Sequence, residues 1–189
     1  MRAYQTAEIA VETAGWPVPV RSDERLRDRE LGILDMLTAF GVETRLPQEA
    51  ERRRWLGKFY YRPPGGESWA DVALRLRSVI GELNALGSGH RVMLVCHDAV
   101  VLLFRYVLEG MSERELLDLA AGTTVLNASV TRYVRPEGPV AQQRWRDQGR
   151  NGVLWLARSA GRRLTAGGHW HPLNARSPVR PAARGAPPR

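Results

Sequence analysis

One histidine in the 189-residue chain stands where side chains often do chemistry. His97 directly follows the continuous apolar run Val92–Cys96 and directly precedes a second apolar stretch, Ala99–Leu108. The first run reads as a strand buried on both faces of a parallel sheet, the second as a helix ending at Gly110. A histidine at such a strand-to-helix turn faces the positive end of the helix, where anions bind, and it exchanges protons near neutral pH. The plain alternative is an imidazole satisfied by its own turn. Arg2 sits just before the helical stretch Ala3–Thr13, an unfavourable place for a cation unless an anion joins the two. The run Asp23–Glu30 alternates acids and arginines and, on its own, reads as a solvated loop of ion pairs. Cys96 is the single cysteine and reads as a small core hydrophobe, which excludes a disulfide framework and a cysteine-rich zinc site.

The elements that would hold these residues can be read from spacing. Ala3–Thr13 is expected to be a helix stopped by Gly15-Trp16-Pro17, and Val18–Val20 a short strand. Pro47 opens a helix to about Tyr60, closed by Pro63-Pro64-Gly65-Gly66. Ser68 and Asp71 form a capping box, and Trp69, Val72, Ala73, Leu76, Val79, Ile80 and Leu83 follow as a helical core-facing stripe. A second capping box, Ser112 with Glu115, opens a short helix through Ala120, and Ser129–Val134 alternates as a last strand. Helices alternating with buried strands imply an α/β layered fold.

Charge divides the chain. The 28 basic and 20 acidic residues give a net charge of +8. Residues 1–135 hold 18 of each sign, whereas residues 136–189 hold 10 arginines against Glu137 and Asp147. The second segment is also rich in proline and glycine, so 1–135 is read as the domain and 136–189 as a disordered tail, with Asn151–Leu156 a possible short strand. An arginine arm carrying Trp145, Trp155 and Trp170 could contact nucleic acid, but no nucleic-acid motif accompanies it. No apolar run is long enough to span a membrane, and the first fifteen residues lack a leader's apolar stretch, so a cytoplasmic setting is expected.

Four segments in order carry a family resemblance. Arg2-Ala3-Tyr4-Gln5-Thr6-Ala7-Glu8 resembles the R-A-x-Q-T-A-E helix start of the histidine phosphatase superfamily, the phosphoglycerate mutase-like enzymes. Arg25-Leu26-Arg27-Asp28 with Leu31-Gly32 resembles its R-L-x-E-x-x-x-G segment, Pro64-Gly65-Gly66-Glu67-Ser68 its P-G-G-E-S helix entry, and Val92–Val100 its strand-and-histidine turn. The resemblance covers roughly residues 1–135. It implies a three-layer sandwich with a mostly parallel sheet. It also implies phosphoryl transfer from a phosphorylated small molecule through a phosphohistidine, with no metal and no other cofactor. Carried over, Arg2 and His97 bind the phosphoryl oxygens and Asp28 protonates the leaving oxygen. Asp28 departs from the usual glutamate, and Glu30 is a possible stand-in. Glu67 belongs to a recognisable motif whose role is expected to be shaping the loop. Asp98 stands where the family has glycine.

The family's Arg-His-Gly, which supplies the nucleophile, occurs nowhere in this sequence; the other histidines are His90, His169 and His171. Three explanations compete: a truncated N-terminus, a protein that has lost the nucleophile and kept a phospholigand surface, and coincidence. The first is favoured. The chain is then expected to lack turnover and to be poorly soluble or only partly folded. A phosphatase is favoured over a mutase, because no segment reads as a lid.

Overall fold

The computed structural model describes residues 2–86, 90–122, 125, 129–135, 146–152 and 154–158. Helix α1 spans Arg2–Ala14, α2 Ala39–Arg45, α3 Pro47–Tyr60, α4 Trp69–Ala85, α5 Asp98–Glu109 and α6 Glu113–Gly122. Strands are β1 Arg91–Leu94, β2 Ser129–Arg135, β3 Arg146–Gly152 and β4 Leu154–Arg158. The fold is α/β. Single 3-10 turns at Glu24–Leu26 and Gly32–Leu34 punctuate the loop that runs from α1 to α2.

Helices α4 and α5 form the centre because their apolar residues are spaced to meet. Trp69, Val72, Ala73, Leu76, Val79 and Ile80 of α4 are buried, and they pack in one cluster with Val100, Leu102, Leu103, Phe104 and Leu108 of α5, Leu116 of α6 and Tyr133 of β2. The α4 capping box forms in full: the Asp71 amide donates to Ser68 Oγ at 3.1 Å, and the Ser68 amide donates to Asp71 Oδ2 at 2.8 Å. The Ser112–Glu115 box at α6 forms likewise. Leu34, Val42 and Tyr61 build a smaller cluster between the 31–37 loop, α2 and α3, in which the Tyr61 hydroxyl donates to the buried Glu49 carboxylate at 2.8 Å. Helix α3 is interrupted at Gly57, whose φ of 76° breaks the helical repeat.

The sheet order is β1-β4-β2-β3. β2 and β4 run parallel, with Thr131 opposite Leu154, while β1–β4 and β2–β3 are antiparallel. Among the described residues the four strands make a mixed sheet, with one parallel and two antiparallel pairings, where a mostly parallel one was expected. Strands β2 and β4 are separated along the chain by β3, which pairs antiparallel on the other side of β2. Two strands lie beyond residue 135, the boundary expected from composition. Residues 136–145, 153 and 159–189, with His169 and His171, lie outside the described residues.

Two further expectations are corrected. Val18–Val20 is an extended loop with Val18 exposed, since Pro17 and Pro19 remove the amide donors a strand would need. β1 stops at Leu94, its only buried residue, and Arg91 is exposed, so this strand is half covered, not sealed on both faces.

Candidate functional site

His97 is the residue before α5, with an extended backbone (φ −110°, ψ 163°) and a carbonyl that accepts the Val101 amide at 2.9 Å. Its side chain makes no cap bond to the helix. The imidazole instead turns to the 23–32 loop, where Nδ1 lies 3.5 Å from Asp28 Oδ2. His97 is 21% exposed and Asp28 46%, so the pair opens to solvent from one side. Asp28 Oδ1 accepts its neighbour Arg29's amide at 2.8 Å, which fixes which carboxylate oxygen faces the histidine. Asp28 and His97, distant in sequence, are thus brought together.

The loop bearing Asp28 is locked against the loop that enters α4. The Glu67 amide donates to Glu30 O at 2.9 Å, the Ile33 amide to Pro64 O at 3.0 Å, and the Glu30 amide to Glu67 Oε2 at 3.1 Å. The two loops touch so closely that a Cβ on Gly32, whose φ is +54°, would lie 2.1 Å from Pro64 O. One on Gly66 would lie 2.7 Å from Glu30 O. Glycine is required at both positions by backbone-to-backbone approach. Glu67 also pairs with Arg75 Nε at 3.0 Å and Arg27 Nη2 at 3.1 Å. Burial pushes its carboxyl up, but the hydrogen bonds from Arg75 and the Glu30 amide, with the charges of Arg75 and Arg27, outweigh this and hold it below the usual range. Glu30 contributes its backbone to this contact, and its residue is exposed.

Cationic groups gather nearby. Arg29 donates to two carbonyls, Glu67 O at 2.6 Å and Tyr61 O at 3.3 Å, and Lys58 Nζ lies 4.5 Å above the Trp69 ring. Burial and then the charge of Arg53 lower the pKa of both, and Arg29 lowers that of Lys58 further. Among the described residues none of Arg29, Arg53 and Lys58 has a carboxylate within ion-pair distance. Asp98, exposed in the first turn of α5, partly offsets the repulsion on Lys58. Cys96, immediately before His97, is pushed up to about 12 by burial and by the Asp28 charge.

Arg2 stands apart from this network. It is exposed in the first turn of α1, and its carbonyl accepts the Thr6 hydroxyl at 3.0 Å. Helix α1 buries no residue. Arg75, Arg29, Arg53 and Lys58 were not among the residues singled out from sequence. For Arg75 the spacing to Asp71 places it on the capping-box face of α4, but gives no sign of the loop it meets. Lys58 and Arg53 had none, because Gly57 breaks the helical register through which spacing is read.

The sequence profile of the histidine phosphatase superfamily, branch 1, matches residues 1–148. A 2,3-bisphosphoglycerate-dependent phosphoglycerate mutase of Methylobacterium radiotolerans is 30% identical over 139 residues, which is 69% of this chain and 65% of the mutase. A glucosyl-3-phosphoglycerate phosphatase of Mycolicibacterium vanbaalenii is 31% identical over 155 residues, 77% of this chain and 67% of the phosphatase. The solved structure of a mycobacterial glucosyl-3-phosphoglycerate phosphatase in complex with VO3 is similar with a TM-score of 0.59 and 29% identity, covering 78% of this chain and 71% of that one. The chain thus spans about two thirds of the length of the curated relatives it matches.

Proposed function

The chain belongs to the histidine phosphatase superfamily, and from that premise we propose that the His97–Asp28 site handles the phosphoryl group of a phosphorylated small molecule, in the direction of hydrolysis. The observation that carries this reading is the 3.5 Å approach of Asp28 Oδ2 to His97 Nδ1 at the entrance of α5. In the proposed reaction a nucleophilic histidine attacks phosphorus in line. His97 and the helix entrance hold the phosphoryl oxygens, Arg2 adds to them, and Asp28 gives a proton to the departing oxygen. Water then releases phosphate from the phosphohistidine. A lone thiol such as Cys96 suits a reducing, cytoplasmic setting.

The nucleophile is a separate matter. His97 is already committed to Asp28, His90 is exposed and in no Arg-His-Gly context, and no Arg-His-Gly occurs in the sequence. We therefore read the 189-residue chain as one that binds phosphate but does not turn over unaided. The test is hydrolysis of p-nitrophenyl phosphate by the chain alone and by the chain fused behind the Arg-His-Gly strand and helix of a relative. The fusion is expected to be active in the presence of a chelator and to lose activity with His97→Ala. Full activity in the His97→Ala fusion would overturn the site assignment, and turnover by the unfused chain would overturn the reading of its histidines. The second reading is a phospholigand-binding protein with no catalytic role; an inactive fusion that binds phosphate would support it.

A further inference from the structure

One guanidinium reaches three carbonyls of the loop that presents Asp28. Arg75, on α4 and 13% exposed, donates from Nε to Glu67 Oε1 at 3.0 Å and from Nη2 to Glu67 Oε2 at 3.2 Å. The same group donates to three backbone carbonyls of the facing loop: Nη1 to Arg25 O, and Nη2 to Arg27 O at 2.9 Å and Asp28 O at 3.2 Å. Planar, fork-shaped and always charged, guanidinium can serve a carboxylate and a row of carbonyls at once, which an ammonium cannot. Glu67, held by Arg75, extends the hold along the chain. Its carboxylate accepts the Arg27 side chain and the Glu30 amide, its backbone amide donates to Glu30 O, and its carbonyl accepts Arg29 Nε. Residues 27, 28, 29 and 30 are therefore each tied to position 67 or 75. The side chain of Asp28 takes no part in the clamp, and it points to His97.

We propose that Arg75 is a positioning residue for the site: with Glu67 it sets the backbone of residues 25–30 so that the Asp28 carboxylate is presented to His97 Nδ1. The inference rests on the reading of Asp28 and His97 as the working pair. A short aspartate side chain leaves little slack, so an ångström of backbone movement converts the 3.5 Å approach into no contact. α4 is a suitable anchor, because its buried stripe is fixed by the α5 core. Arg75 acts through Asp28 and touches neither His97 nor the position of a phosphoryl group.

The test uses the full chain and needs no turnover. The ring-nitrogen resonances of His97 are recorded by histidine-selective NMR at one pH for wild type, Asp28→Asn, Arg75→Met, Arg75→Lys and the Asp28→Asn/Arg75→Met double variant, with thermal melts alongside. Asp28→Asn is expected to shift the His97 ring signals. Arg75→Met is expected to shift them in the same direction, and the double variant to show no more than Asp28→Asn alone, since two changes acting through one contact do not add. Where Arg75→Met fails to fold, Arg75→Lys and Glu67→Gln carry the same comparison, each expected to displace the His97 signals. A folded Arg75 variant with a lowered melting temperature but His97 signals at their wild-type positions would overturn the proposal, because a purely structural arginine lowers stability without moving that ring. If Asp28→Asn itself leaves the ring unmoved, the pair reading fails and not the clamp.

Discussion

Helix α4 and helix α1 each carry a legible sequence motif, and the fold treats them in opposite ways. α4 buries six residues, is capped at its N-terminus by the reciprocal bonds of Ser68 and Asp71, and sends Arg75 into the loop that carries Asp28. α1 buries none; Ile9 is 62% exposed, and the Arg2 carbonyl accepts the Thr6 hydroxyl of its own helix. A motif thus locates a residue in the chain, while packing decides how firmly that residue is held. The Asp28–His97 pair is set by interlocked loops and a buried core, and Arg2 by nothing comparable among the described residues.

The largest effect is expected in the core beneath the clamp. Leu76→Ala removes a fully buried side chain and is expected to cost about 3–5 kcal/mol in chemical denaturation. A loss under 1 kcal/mol would show that α4 is not the anchor described. The loop contact comes next. Gly32→Ala combines a positive φ with a clash against Pro64 O and is expected to cost about 2–3 kcal/mol. Gly57→Ala has a positive φ but open space around it, and about 1 kcal/mol is expected. Equal losses at the two glycines would contradict the interlocked loops.

A pH series separates the cap of α4 from the core it leads into. Burial raises the Asp71 carboxyl, but hydrogen bonds from Arg62 and Ser68 outweigh it and hold the group at about 2 against an ordinary 3.8. A folded value below the unfolded one means that the carboxylate stabilises the fold above the ordinary value, and that this contribution fades as pH falls toward the folded one. Asp71→Asn is therefore expected to be less stable than wild type at pH 7, by about 1–2 kcal/mol, with the difference shrinking between pH 4 and pH 2. A difference that is constant with pH would remove the carboxylate from the account. The smallest effect belongs to the other helix: Ile9→Ala is expected to change stability by less than about 0.5 kcal/mol. A change as large as that of Leu76→Ala would break the contrast between the two helices.

Much of the positioning machinery was written in local patterns. The α4 stripe, both capping boxes and the place of His97 before α5 follow from spacing alone, since periodicity and cap chemistry are local. The family motifs single out Asp28 and His97 separately, but not their pairing, and the charge run alone reads as a solvated loop. Arg75 was not found, because a charged residue beside a core stripe gives no sign of what faces it across the fold. β3 was illegible for a different reason: Arg-Asp-Gln-Gly-Arg-Asn-Gly has no apolar alternation, so its place in the sheet depends on its partner strand. The exposed α1 was also hidden, because a helical stripe shows that a face can be buried and not whether it is.

The most direct test of the site is the binding of inorganic phosphate and orthovanadate to the 189-residue chain by isothermal titration, wild type against His97→Ala, with folding of both checked by circular dichroism. A phosphoryl pocket built on His97 predicts saturable binding by the wild type that the folded variant loses. Equal binding by the two proteins would contradict it.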